Sequence, residues 1–268
     1  MAAPIDADAP EYHVYALLFA RRELSHRPEH FYRGHHEPVD SMPIAYYVWL
    51  IVGRGRTILV DTGFTPEVGA RRGSRIYEQS PLESLRRLGI DASDVDTVVL
   101  THLHYDHTGF ATSFPQARLV VQQAELDYWR GPMATRGENP ALVEAEDLAG
   151  VFGLVERGQA DIVDGEAEIA AGIVVRRVGG HSAGLQVVSV EYDAGCTVLA
   201  SDATHFFDNI GQDKPYSIVH HLPEMYEAFD WMKARVKGSG SIIPGHDPAV
   251  LEAFPPVPDL TGVAVRIV

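Results

Sequence analysis

The chain has 268 residues, 46% of them hydrophobic, and its 22 basic and 37 acidic side chains give a formal charge of 22 − 37 = −15. That length can bury a substantial core, and one α/β domain over 1–268 is the simplest arrangement. The acidity speaks against a nucleic-acid substrate and against adhesion to anionic membranes, and the single cysteine, Cys196, excludes an intramolecular disulfide framework.

Residues 1–11 carry Asp6, Asp8 and Glu11 and no apolar segment, so they do not read as a secretory signal. No stretch approaches the roughly 18 to 20 apolar residues that span a bilayer. The cytoplasm is the expected location and a small molecule the expected partner, with a homodimer left open as the assembly.

The first strand pattern runs over 12–19. A basic stretch at 21–37 holds His26, His30, His35 and His36 without periodicity. Within 20–40 this reads equally as a lid or substrate-facing loop and as a solvated surface segment. Its histidines show no recurring spacing and make no metal site. Two β-rich runs, 44–52 and 57–60, flank Gly53-Arg54-Gly55, a hairpin signal, and the second ends in Asp61-Thr62-Gly63. Leu82, Leu85 and Leu88 space an amphipathic helix over 81–88 that Gly89 stops. A short buried strand at 96–100 leads directly into Thr101-His102-Leu103-His104-Tyr105-Asp106-His107. Beyond it come a strand at 118–121, a helix at 123–130, a Gly-, Pro- and charge-rich segment at 131–139 and a further helix at 141–148. Strand patterns resume at 173–178, 186–192 and 197–200. Residues 223–236 read as a helix and 241–243 as a last core strand. Strand pairs with helices between them suit sheets covered by helices on their outer faces.

The His-x-His-x-Asp-His cluster is the strongest signal. Imidazole nitrogens and carboxylate oxygens are what a borderline cation such as zinc takes when no thiolate is offered. Four ligand-type residues within six positions are too many for one closed tetrahedral ion with room for substrate, so two ions sharing the cluster is the natural solution. Three later residues sit just beyond strand patterns, where an open sheet presents its site: His181 after Gly179-Gly180, Asp202 after 197–200, and His246 after Pro244-Gly245. Each alone is as well read as a helix cap or a satisfied loop residue. The joint pattern favours ligation.

These segments carry a resemblance. Thr101 to Gly109, Gly180-His181-Ser182-Ala183-Gly184, Ser201-Asp202 and Pro244-Gly245-His246-Asp247, with Asp61-Thr62-Gly63 ahead of them, resemble the successive motifs of the metallo-β-lactamase superfamily over roughly residues 44 to 250. The resemblance implies an αββα four-layer sandwich with a dinuclear metal site at one edge of the two sheets. It implies His102, His104 and His181 on one ion, Asp106, His107 and His246 on the other, and Asp202 bridging. Two zinc ions per chain are expected, with manganese or iron as alternatives.

Within the superfamily the chain is most similar to the N-acyl homoserine lactonase group. One position departs: many of that group carry a tyrosine three residues beyond the bridging aspartate, and here that residue is His205. Several class B β-lactamases place a cysteine at the bridging position, whereas Cys196 lies six residues before Asp202. The RNA-processing branch would want a basic surface. Glyoxalase II enzymes share most of the ligands. Flavin-linked relatives need a partner domain that 268 residues do not accommodate.

The implied reaction is attack of a metal-bridging hydroxide on the carbonyl of a cyclic ester, an N-acyl homoserine lactone or a related lactone. Asp106 would orient the water as well as ligate, and His205 would serve as proton donor or oxyanion partner. Hydrolysis of a cyclic amide, a thioester or an arylester is the alternative on the same scaffold. A non-catalytic metal protein fits less well, because structural zinc sites rarely need a bridging carboxylate. Tyr105 is expected to pack away from the metals. Met42, Ile44, Tyr46 and Trp49 read as a pocket wall or as sheet core, and Phe206-Phe207 has the better positional claim to the pocket.

Overall fold

The computed structural model describes residue 9 and residues 11–268, so most of the acidic N-terminal segment lies outside the described residues. In chain order come β1 (His13–Arg22), β2 (Ile44–Gly53), β3 (Arg56–Val60), α1 (Pro66–Arg72), β4 (Ile76–Tyr77), α2 (Pro81–Arg87), β5 (Thr97–Val99), α3 (Tyr105–Thr108), β6 (Arg118–Gln122), α4 (Gln123–Arg130) and α5 (Ala145–Glu156). The second half contains β7 (Ala160–Val163), β8 (Glu166–Ala170), β9 (Ile173–Arg177), β10 (Gln186–Tyr192), β11 (Gly195–Ser201), α6 (Phe207–Gly211), α7 (Leu222–Arg235), β12 (Lys237–Gly238), β13 (Ile242–Pro244), α8 (Val250–Ala253) and β14 (Ala264–Arg266).

Among the described residues one sheet has eight strands in the order β14-β1-β2-β3-β5-β6-β7, with β4 beside β1. The other has six, β12-β11-β10-β9-β8, with β13 beside β11. The period-2 rule of strands explains how the layers form. Along β2, Ala45, Tyr47, Trp49 and Ile51 face the second sheet and meet Val175, Val188, Val190 and Leu199 there. The alternate residues Tyr46, Val48, Leu50 and Val52 face the helices and pack with Leu85 and Leu126. On the far side, Val187, Val198 and Ala200 pack against Ala228, Phe229 and Met232 of α7. The result is the αββα sandwich that the motifs imply, and Trp49 belongs to its central layer rather than to a pocket. No helix among the described residues is long and apolar enough to cross a membrane.

Strand direction positions the site. Strands β3, β5 and β6 run parallel in the first sheet and β11 and β13 run parallel in the second. Residues that follow them therefore emerge at common ends, as in other open sheets with a site beyond the strand termini.

The hairpin at Arg54-Gly55 forms with both residues at positive φ, 54° and 72°, the mirror-image turn that matches strand twist. The helix expected over 141–148 differs. A 3-10 turn occupies Asn139–Leu142 and α5 begins at Ala145, extending to Glu156 through Gly150 and Gly153, whose presence reads as a break in the sequence. Strands β7 and β8 and helix α1, absent from the sequence pattern, are short, and the first two lie at sheet edges.

Segment 20–40 is tied down. Arg27 pairs with Glu37 at 2.8 Å and with Asp208 at 2.5 Å, Lys214 reaches Glu37 at 2.6 Å, and Asn209 donates to the His30 carbonyl at 3.0 Å. His30 is fully buried, stacked on Tyr216 and tilted against Phe206. Its Nε2 lies 2.9 Å from the Met42 carbonyl, and its Nδ1 has no partner. Burial therefore pushes its pKa down to about 4, with the Met42 carbonyl and Glu29 opposing and Arg22 and His246 assisting. Because the unfolded chain binds this proton and the folded one does not, stability falls as pH drops from about 6.5 to about 4. The loss amounts to up to about 3 kcal/mol. Denaturant melts at stepped pH should show that slope in the wild type and a shallower one in His30→Gln.

Candidate metal centre

Each candidate ligand leaves a strand end or a turn. His102 and His104 follow β5, Asp106 and His107 lie in the single turn α3, His181 follows β9, Asp202 follows β11 and His246 follows β13. All seven side chains are buried or nearly so. Two adjacent sets divide the seven, His102, His104, His181 and Asp202, and Asp106, His107 and His246, and a third grouping joins His205 to Asp202 and His246, with the ligand atoms of each within 4.8 Å of one another.

The inward atoms can be named. His104 Nδ1 faces His102 Nε2 at 2.9 Å and His181 Nε2 at 3.0 Å. Asp202 Oδ2 lies 3.2 Å from His181 Nε2 and 3.7 Å from His102 Nε2. Its other oxygen, Oδ1, lies 3.0 Å from His246 Nε2 and 3.4 Å from His107 Nε2. Asp106 stands 3.6 Å from His107 and 3.8 Å from His246. A tetrahedral ion with nitrogen ligands at about 2.0–2.1 Å has ligand–ligand edges of roughly 3.3 Å. The observed spacings bracket that edge, and the two oxygens of Asp202 each face a different set. His107 Nε2 is buried with no hydrogen-bond partner, an orphan that a cation would satisfy. The donor set fits a pair of divalent ions.

Outer partners aim the rings, as ligating histidines require. His102 Nδ1 meets Thr101 Oγ1 at 3.1 Å, His181 Nδ1 meets the Ile218 carbonyl at 3.2 Å and His246 Nδ1 meets the Ala45 carbonyl at 2.9 Å. His107 Nδ1 is held by Asp61 Oδ2 at 2.7 Å. Burial lowers His104 and His181 to about 3 and His102 well below its ordinary value, which keeps their lone pairs free. His107 moves the other way: burial opposes its charge, but Asp61, Asp106 and Asp202 together outweigh that and raise it.

Two buried carboxylates that sequence reading gave no role hold the frame. Asp61, at φ 61°, accepts from the Thr101 amide at 2.8 Å as well as fixing His107. Glu125 on α4 accepts from the Leu103 amide at 3.0 Å, Trp129 Nε1 at 2.8 Å, Ser182 Oγ at 2.9 Å and the Gly184 amide at 2.6 Å. It thus clamps the turn bearing His102 and His104 to the turn bearing His181. Close packing supports the same turn, since a Cβ on Gly109 would meet Phe64 Cα at 2.7 Å. Glu125→Gln puts an amide NH₂ where an acceptor is needed and leaves at least one buried donor unpaired. A loss of about 2–4 kcal/mol in chemical denaturation is expected.

His205 lies beside the centre with Nε2 3.0 Å from Asp202 Oδ2, its ring stacked on Tyr216 at 3.3 Å and 3°, and its Nδ1 buried without a partner. A cavity of about 260 Å³ opens over the two sets, walled by Ile44, Tyr46, Tyr105, Tyr216 and Ile218 and by three arginines. A second cavity of about 210 Å³ shares His104, His181, Leu142 and Ile218 with it. Tyr105, expected to pack away, lines the first cavity: Arg72 lies over its ring at 3.6 Å and its hydroxyl accepts from Arg75 at 3.1 Å. Phe206 and Phe207 do not line it. The first packs on His30 and the second joins the layer between the sheets.

A paired histidine–aspartate centre at the edge of an αββα sandwich defines a class of metal-binding proteins. The sequence pattern of the metallo-β-lactamase superfamily matches residues 43–251, and the chain belongs to that superfamily. It is similar to the N-acyl homoserine lactonase AiiB of Agrobacterium fabrum (strain C58 / ATCC 33970), with 32% identity over 190 residues that span 64% of this chain and 66% of that protein. An N-acyl homoserine lactonase of Bacillus cereus is 24% identical over 196 residues, 67% of this chain and 72% of that one. Among solved structures, an N-acyl homoserine lactone hydrolase with the product N-hexanoyl-L-homoserine bound at its catalytic metal centre superposes with a TM-score of 0.72 at 21% identity, covering 92% of this chain and 97% of its own. A dizinc quorum-quenching lactonase gives 0.67 at 17% identity, covering 92% and 90%.

Proposed function

We propose that the chain is a metal-dependent hydrolase that opens a lactone ring, an N-acyl homoserine lactone or a related cyclic ester. The observation that carries this reading is Asp202, whose two oxygens face two separate ligand sets under one cavity. The similar lactonases, one with a ring-opened product at its metal centre, support it. His102, His104 and His181 would hold one ion and Asp106, His107 and His246 the other, with Asp202 between them. Bound divalent ions would supply carbonyl polarisation and a lowered water pKa. Zinc suits these nitrogen and oxygen donors, with manganese and iron as alternatives.

The residues of the chain do the rest. Asp106 faces the cavity and orients the attacking water through its carboxylate. His205, also on the cavity wall, holds Asp202 through Nε2 and stands where a tyrosine hydroxyl would otherwise serve the leaving oxygen. The aromatic and aliphatic wall excludes water from an acyl group. The formal charge of −15 supports action on a small molecule rather than on nucleic acid.

The metal-loaded protein should be assayed on N-acyl homoserine lactones, δ-lactones, cyclic imides, S-lactoylglutathione and aryl esters. A lactone should exceed every other class in kcat/KM by at least about tenfold, the discrimination one well-placed contact gives. Faster turnover of the thioester or imide would replace the lactonase reading by the corresponding hydrolase.

A further inference from the structure

The cavity over the metal centre is unexpectedly cationic for a chain of charge −15. Arg22, Arg72 and Arg75 all contribute to its wall. Two of them are neutralised locally: Arg22 pairs with Glu29 at 2.7 Å and Arg72 with Glu144 at 2.9 Å. Arg75 is different. It donates to the carbonyls of Arg72 at 3.0 Å and Gly73 at 3.1 Å and to the Tyr105 hydroxyl at 3.1 Å, all neutral acceptors. Among the described residues no carboxylate lies within 4.0 Å of it. The Nε–H groups of Arg22 and Arg75 are moreover buried without acceptors. The carboxylate that acts on its charge is Asp106, which lines the same cavity but makes no ion pair with it, so Arg75 has a distant counter-charge and no direct one.

We infer that the substrate bears a carboxylate, bound on this wall by Arg75 with Arg22 beside it. A positive charge with no direct ion pair suits a monoanion, and the Arg75 Nη2 hydrogen left over from Tyr105 is the donor a carboxylate would meet. Ile44 and Ile218 line the same cavity and offer the intervening carbons apolar contact. A neutral acyl lactone would leave Arg75 without a direct ion pair. This inference deepens the lactonase reading, which supplies the reactive ring of the probe.

The test is a matched pair, N-glutaryl-homoserine lactone and N-pentanoyl-homoserine lactone, which share a ring and a five-carbon acyl group and differ only in a terminal carboxylate. The glutaryl compound should be favoured at least about tenfold in kcat/KM, the effect of one charge-assisted hydrogen bond. That ratio should fall to about one in Arg75→Gln, and Arg75→Lys should keep part of it. Arg22→Gln should reduce the ratio without abolishing it, which guards against a folding defect in the Arg75 variant. The corresponding homoserine lactams, titrated calorimetrically, read recognition without turnover. Tighter binding of the glutaryl lactam, lost in Arg75→Gln, would sustain the inference even if neither lactone is cleaved and the lactonase reading fails. Equal affinity for the two lactams, or a glutaryl preference that persists in Arg75→Gln, would overturn it.

Discussion

Asp202→Ala is expected to lower kcat/KM by at least about 10³-fold, because the metal-derived stabilisation it secures is worth several kcal/mol and each 1.36 kcal/mol is tenfold in rate. The reason lies in the division of its oxygens, Oδ2 toward His181 and Oδ1 toward His246. Among the described residues no other carboxylate stands between the two sets: Asp106 faces His107 and His246, the second set alone. Metal analysis should return about two ions per wild-type chain and one or fewer in the variant. The fold should persist, since Asp202 follows the end of β11 rather than standing in the layers of the core. Far-ultraviolet circular dichroism of the two metal-free proteins should therefore coincide. Two tightly held ions in Asp202→Ala, with activity intact, would remove the bridging assignment.

Much of this centre could be read from sequence because its chemistry is local. His102, His104, Asp106 and His107 share one turn, so spacing alone brings them together. His181, Asp202 and His246 are far apart in the chain, yet each follows a strand pattern, and parallel strands carry such residues to a common end. What sequence did not reveal acts at a distance, through the bonds of Asp61, visible only as part of a motif, and of Glu125, which looks ordinary. Asp61 binds the Thr101 amide 40 positions away, and Glu125 reaches Ser182 across 57. Glu125 also sits in Gln-Ala-Glu-Leu-Asp-Tyr-Trp-Arg, a helix whose polar residues read as a solvent face. Its single local trace is Trp129 four residues on, whose indole it accepts at 2.8 Å. Arg72 and Arg75 follow the same logic: at the end of the short polar helix α1 they resemble surface charge, and only the packing of Tyr105 draws them to the cavity.

Alternation also has limits past a strand end. Phe206 and Phe207 follow His205 and have a positional claim to the pocket, but alternation breaks where β11 gives way to a turn. Phe206 N–H donates to Asn209 Oδ1 at 3.0 Å, starting α6 and turning its ring toward His30. Conversely Ile44 and Tyr46 open β2 on the helix-facing side, and there the sheet edge leaves them on the cavity wall. The same strand commits Trp49 to the opposite face. Pocket and core thus divide one strand by position along it as well as by face.

Burial lowers the His205 pKa to about 3 and holds the imidazole neutral. His205→Ala should cost about 10² to 10⁴ in kcat, the range of general acid–base contributions, if the ring turns its single N–H from Asp202 to the leaving oxygen. Geometry adds a second consequence. His205 Nε2 is 3.0 Å from Asp202 Oδ2, and the flat stack on Tyr216 fixes the ring, so the imidazole also holds in place the carboxylate proposed to bridge. Loss of an outer-sphere partner of this kind typically lowers metal affinity about 10- to 100-fold. Competition with a chelator should therefore show weaker retention of metal in His205→Ala, an effect that a proton donor alone would not produce. His205→Gln separates the two tasks, because its amide can donate to Asp202 but cannot pass a proton. It should recover metal affinity and leave kcat low. His205→Tyr makes the opposite trade, offering a hydroxyl to the leaving oxygen, and should recover part of kcat on lactones with poor alkoxide leaving groups. If His205→Ala changes neither metal affinity nor kcat, the residue has neither task, and the cavity wall alone carries the departure from the lactonase pattern.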